Sequence, residues 1–199
     1  MFTVTTHTSE MLVEKQSKFI AHLMPYAMYD EVLQTLKAEH PKARHFVTAF
    51  RYINAFDQVV EGSSDDGEPK GTSGKPTLSV LQGQELINVA VVVVRYFGGT
   101  KLGTGGLVRA YSDATNLAVS AAERVPYVKK ETLKLSCSYS DLGRVEYAVS
   151  QEGIDIVEKV FLTEGVRLTL AGTDLQLQQL YGEIERLVFD VEKEGEIDV

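Results

Sequence analysis

The sequence of 199 residues is poor in the features that mark secreted and membrane proteins. Its single cysteine, Cys137, cannot form a disulfide within the chain, which fits a reducing compartment. The longest apolar run, Val89–Val94, is far too short to cross a bilayer. The first residues lack the basic and then apolar pattern of a secretory signal peptide. We therefore expect a cytoplasmic protein that has no membrane partner.

The familiar motifs of catalysis and cofactor binding are also missing. The four histidines are scattered without the spacing of a metal site, and we interpret them as structural. The sequence contains no G-x-S-x-G, H-E-x-x-H or paired cysteine motif. Its glycine-rich stretch is not a P-loop, because Thr104 and not lysine follows Gly103, nor is it G-x-G-x-x-G. These absences favour a non-catalytic protein without a cofactor, and whether a metal binds stays open.

Charge is divided unevenly along the chain, which has a formal net charge of −8. Residues 1–130 carry a net charge of +1, whereas residues 131–199 carry 6 basic and 15 acidic side chains, a net charge of −9. This acidic balance argues against broad binding to nucleic acid, and we expect no DNA specificity. A local patch in the first part could meet RNA. The acidic second part is better suited to a protein partner.

The periodicity of apolar residues predicts an α+β protein with two domains, residues 1–128 and 132–199. Four consecutive valines, Val91–Val94, cannot alternate between the faces of a sheet, so their strand is expected to be buried on both faces. The helix that follows the glycine-rich loop is expected to start after Gly106. The second domain shows the order β-α-β-β-α-β of the ferredoxin-like arrangement, with a last strand at Val191–Ile197.

Five glycines fall within the nine residues Gly98–Gly106. A loop of this kind, entering a helix, surrounds an anion with backbone N–H groups and with the positive end of the helix. Lys101 and Arg109 are expected to complete the site, and Arg95 and Tyr96 are expected to pair with phosphate or stack on bases. Alternatively, the glycines form a turn that lets helix and sheet approach. The candidate anion- or RNA-binding residues are Arg95, Tyr96, Gly98, Gly99, Lys101, Gly103, Gly105, Gly106 and Arg109.

A second candidate site lies in Gly62–Pro76, which contains no apolar residue and predicts a long loop. Asp65, Asp66 and Glu68 fall within four residues and could hold Mg²⁺ or a basic segment of a partner. Their spacing does not match that of an EF-hand loop. Alternatively, they form a solvated acidic turn, or Asp65 or Asp66 pairs with Arg95.

Three separated blocks of the sequence resemble the YigZ/IMPACT family in its bacterial two-domain form. They are Ser64–Pro76, Gly83–Gly103 with Arg-Tyr-Phe-Gly-Gly near its end, and Gly105–Tyr111. The resemblance implies a first domain like the second domain of ribosomal protein S5. It implies a second domain like the ferredoxin-like C-terminal domains of elongation factor G. It also implies a link to translation, because the eukaryotic relatives are translational regulators.

Three functions follow from these observations. The first is a non-catalytic, translation-linked regulator that binds RNA, the ribosome or a translation factor through the glycine-rich loop. The second is a Mg²⁺-dependent enzyme or binder of a small phosphorylated metabolite or nucleotide, with Asp65, Asp66 or Glu68 at the metal and Lys101 at the phosphate. The third is a protein-interaction module whose acidic second domain docks on a basic surface.

Overall fold

The computed structural model describes residues 1–194, and the chain divides into two compact units, Met1–Tyr127 and Val128–Val199. Both units mix strands with helices, which confirms the α+β class. Within residues 1–194, every helix is too short or too polar to span a membrane.

The first unit is built on a five-stranded antiparallel sheet and a separate two-stranded one. In chain order the elements are β1 (Phe2–Val4), β2 (Thr8–Glu14), β3 (Ser17–Pro25), α1 (Tyr29–Glu39), β4 (His45–Ile53), β5 (Val59–Ser64), α2 (Gly74–Gly83), β6 (Val89–Tyr96), α3 (Gly103–Ala121) and β7 (Arg124–Pro126). The large sheet has the strand order β2-β3-β6-β4-β5, and β1 pairs with β7.

Strand β6 is the middle strand of the large sheet. Val91 and Val93 pack in one apolar cluster with residues of α2 and α3, while Val92 and Val94 pack with residues of α1 in another. All four side chains are fully buried, which confirms the prediction of a strand covered on both faces. The glycine-rich loop therefore follows directly after a strand that is held in a rigid core.

Two boundaries near the candidate sites differ from the predictions. Helix α3 begins at Gly103 and not after Gly106. Packing of Leu102 and Leu107 on the core stabilises this first turn, although glycine disfavours helix. The loop without apolar residues is also shorter than predicted, because β5 runs to Ser64 and α2 begins at Gly74.

The elements of the second unit are β8 (Glu131–Cys137), α4 (Leu142–Gln151), β9 (Asp155–Leu162), β10 (Gly165–Gly172), α5 (Asp174–Ile184) and β11 (Val188–Glu194). The strands form an antiparallel sheet with the order β11-β8-β10-β9. Helices α4 and α5 cover one of its faces through an apolar cluster that includes Leu135, Leu168 and Leu180. This is the predicted ferredoxin-like arrangement. The last strand begins earlier than predicted, and Ile197 lies outside the described residues.

Candidate functional site

The glycine-rich loop connects the end of β6 to the start of α3, and its first glycine is required by packing. A Cβ at Gly98 would lie 2.0 Å from the carbonyl carbon of Gln16 and 2.2 Å from the nitrogen of Ser17. The Gly98 N–H also donates to Ser17 Oγ at 3.1 Å. Only glycine allows the turn between β2 and β3 to lie so close. At Gly98 the packing of the chain therefore explains the glycine, without a ligand.

Three of the four glycines further along the loop face open space, and Gly106 does not. Gly99 and Gly103 have φ angles of +89° and +74°, which favour glycine, yet a Cβ at either would meet no atom within 4 Å. A Cβ at Gly105 would also meet no atom within 4 Å, and its φ is not positive. A Cβ at Gly106 would lie 3.0 Å from Leu102 Cβ. The described structure therefore gives no packing or backbone reason for glycine at position 105.

The start of α3 offers backbone donors and positive charge. The helix receives no side-chain cap at its N-terminus, so the N–H groups of its first turn lack that partner. Lys101 precedes the helix and is exposed. Arg109 is exposed and lies four residues after Gly105, hence on the same face of the helix. This end of the unit can therefore attract an anion.

A further lysine reaches this region from a distant part of the sequence. The turn between β2 and β3 consists of Lys15 and Gln16, with φ angles of 45° and 65°, and it packs on Gly98. Lys15 is exposed beside this contact. Lys18 is also exposed, but it lies opposite Tyr96 in the sheet and so belongs to the α1 face. Sequence reasoning missed Lys15, because only the contact between the turn and the loop brings it there. The signal was available as a lysine in a two-residue hairpin turn.

Arg95 has a different partner from those predicted. Its Nη1 lies 2.5 Å from Glu68 Oε1, and the two side chains are only 7% and 4% exposed. Tyr111 donates its hydroxyl hydrogen to the same oxygen at 2.7 Å. Burial raises the pKa of Tyr111, and the charge of Glu68 and this hydrogen bond raise it further. Arg95 already has a buried anion as its partner, so this geometry does not support a role in binding phosphate; the partner is neither Asp65 nor Asp66.

The acidic residues of the loop between β5 and α2 act as anchors within the protein. Asp65 Oδ1 and Oδ2 accept hydrogen bonds from the N–H groups of Gly71, Ser73 and Gly74, at 2.7 to 3.1 Å. Burial opposes ionisation of Asp65, but these bonds outweigh it and lower its pKa. Asp66 Oδ2 accepts from the Phe46 N–H at 2.6 Å. Within residues 1–194, no cluster of three or more His, Cys, Asp or Glu side chains could hold a metal ion.

The two aromatic residues at the end of β6 point in different directions. Tyr96 is half-buried on the α1 side of the sheet, where its hydroxyl is hydrogen-bonded to His40 Nδ1 at 2.9 Å. Phe97 is 55% exposed, and the Arg95 guanidinium lies over its ring, 5.8 Å from the centroid. Tyr96 is therefore not brought together with the glycine-rich loop, and Phe97 is.

The first unit thus combines an antiparallel sheet, three covering helices and a basic, glycine-rich loop, followed by a ferredoxin-like second unit. Residues 15–119 match the family model of the Impact N-terminal domain. The chain belongs to the IMPACT family, as its resemblance to the YigZ/IMPACT sequences predicted.

Relatives from two bacteria align over most of the chain. An IMPACT family member from Haemophilus influenzae is 40% identical over 150 residues, which cover 74% of this chain and 73% of the relative. The IMPACT family member YigZ from Escherichia coli is 39% identical over 140 residues, or 69% of each chain. The crystal structure of a hypothetical protein superposes with a TM-score of 0.68 at 29% identity, covering 99% of this chain and 97% of the other.

Proposed function

We propose that the protein is a non-catalytic, translation-linked regulator that binds RNA phosphate, alone or in the ribosome, at the N-terminus of α3. The family supports the link to translation, because the eukaryotic relatives in the sequence resemblance are translational regulators. The site is the group of Gly99, Gly103 and Gly105 with the cations Lys101 and Arg109. Lys15, in the turn that packs on Gly98, extends the positive charge around it.

Gly105 is the observation on which this proposal depends most. Glycine inside a helix is about 1 kcal/mol less favourable than alanine. A Cβ at this position would meet no protein atom, so packing does not explain the glycine. A phosphate oxygen that approaches the backbone N–H groups of the first helical turn would explain it, because a methyl group there would keep the oxygen at a distance.

The charges around the loop support an anionic ligand of extended shape. The site holds three exposed cations, Lys15, Lys101 and Arg109, from two separate segments of the chain. If several of them contact phosphates, affinity should fall steeply with salt, with a slope of about −0.7 per phosphate for a single strand. A metal-dependent alternative has less support, because Asp65 and Glu68 already bind groups of the protein.

Co-sedimentation with purified ribosomes and with free ribosomal RNA tests the proposal. The variant is Gly105→Ala, and the matched control is Gly182→Ala, at a glycine of α5 whose Cβ would also meet no atom within 4 Å. Each substitution should stabilise its own unit by about 0.5–1 kcal/mol, because alanine favours helix. Only Gly105→Ala should weaken binding, by roughly tenfold or about 1.4 kcal/mol.

Two outcomes would contradict the proposal. If the wild-type protein binds neither ribosomes nor RNA, the anion is another molecule or the ligand is a protein. If Gly105→Ala binds as well as wild type while gaining stability, the glycine-rich loop is architectural. Loss of binding on changing the acidic second unit alone would favour the protein-interaction alternative.

A further inference from the structure

Phe97 is an exposed aromatic ring beside the proposed phosphate site. It follows β6, where every apolar side chain from Val89 to Val94 is fully buried. The chain turns outward at Phe97, whose side chain is 55% exposed. One face of this exposed ring is therefore available to a flat ligand.

Contacts to the ring of Phe97 and to the backbone on either side of it fix its orientation. The Arg95 guanidinium lies over it, 5.8 Å from its centroid, and the ion pair with Glu68 fixes that guanidinium. The backbone on either side of the ring is also held. Tyr96 pairs with Lys18 in the sheet, and the Gly98 N–H donates to Ser17 Oγ. Phe97 is therefore presented in a preorganised orientation, which lowers the entropic cost of stacking on a ligand.

The neighbours of the ring determine what kind of flat ligand it suits. The open backbone at Gly99 begins two residues later, and the exposed Lys101 lies in the same loop. An aromatic platform beside positive charge and accessible N–H groups is how proteins hold single-stranded nucleic acid, with the base on the ring and the phosphate on the donors. A base paired within a duplex is not free to stack in this way.

We propose that Phe97 is the platform on which one base of a single-stranded RNA stacks while its phosphate binds at Gly99–Gly105. This inference rests on the proposed function and specifies its ligand. Stacking of one base on an aromatic side chain corresponds to roughly a five- to 150-fold gain in affinity. That gain depends on the π-face of the ring and not on charge.

Fluorescence anisotropy with a labelled single-stranded RNA of about ten nucleotides tests the inference. Inorganic polyphosphate, which has the charge but no bases, serves as the second ligand in competition. The variants are Phe97→Leu, Phe97→Tyr and the control Phe56→Leu, at a phenylalanine of the same unit that is 81% exposed. Circular dichroism and thermal unfolding show whether each variant keeps its fold.

Phe97→Leu should weaken RNA binding by roughly five- to 150-fold and leave polyphosphate binding unchanged. Phe97→Tyr, which keeps the ring, and Phe56→Leu should both bind RNA like wild type. Unchanged RNA binding by Phe97→Leu would overturn the stacking role and leave the proposed function standing. An equal loss for RNA and polyphosphate would also overturn it. A wild-type protein that binds neither ligand would refute the proposed function itself.

Discussion

His22 is expected to make the first unit sensitive to acid. It lies on β3, is 7% exposed, and its Nδ1 is 3.0 Å from His7 Nε2. Its Nε2 has no hydrogen-bond partner among the described residues. Burial, with smaller contributions from the charges of His7 and His40, lowers the pKa of His22 to about 4. Protonation would place a cation in a buried position without an anion beside it.

The effect on stability follows from the difference between the folded and unfolded states. The unfolded chain, with a histidine pKa of 6.5, binds more protons than the folded chain as the pH falls towards 4. The contribution of His22 to stability is therefore complete above pH 6.5 and is lost below it. The loss is about 2 kcal/mol at pH 5 and approaches about 3 kcal/mol below pH 4.

The variant His22→Phe isolates this effect, because phenylalanine keeps a buried ring and cannot take up a proton. We expect the free energy of unfolding of wild type to fall between pH 7.5 and 5.0 by about 2 kcal/mol more than that of the variant. Urea denaturation followed by circular dichroism measures this difference. The carboxylates, which titrate in both proteins, cancel in the comparison.

Nuclear magnetic resonance measures the titration of His22 directly. The imidazole protons of His22 should keep their chemical shift down to about pH 5 and move near pH 4. An imidazole that titrates between pH 6 and 7, or an identical pH dependence of stability in wild type and variant, would refute the reasoning.

Two further predictions concern the packing around the glycine-rich loop. Glu68→Gln leaves the buried Arg95 without its anion and should destabilise the first unit by about 3–5 kcal/mol in urea unfolding. The double variant with Arg95→Met should recover part of that loss, and no recovery would contradict the ion-pair explanation. Gly98→Ala should destabilise by about 3 kcal/mol, because its Cβ would meet the backbone of Gln16 at 2.0 Å and neither chain segment can move easily. A thermal midpoint equal to that of wild type would contradict it.

Much of the fold could be predicted because it follows from patterns between near neighbours in the chain. The valines of β6 cannot alternate between faces, and the structure buries both faces. The second unit has the predicted β-α-β-β-α-β order, since the period of its apolar residues changes between strand and helix. Helix starts were less predictable, because the packing of Leu102 and Leu107 on the core, and not local propensity, begins α3 at Gly103.

The sequence by itself determined which residue types stand near the loop: glycines, Lys101 and Arg109 follow a buried strand within a few positions of one another. Only the tertiary structure decided what each of them does. Gly98 meets the β2–β3 turn across 81 residues of sequence, and Arg95 meets Glu68 across 27. Contacts over such separations depend on how strands pair and which side chains are buried together, which no local pattern records. For that reason Arg95 became part of the core, while Phe97, two residues later, remained exposed.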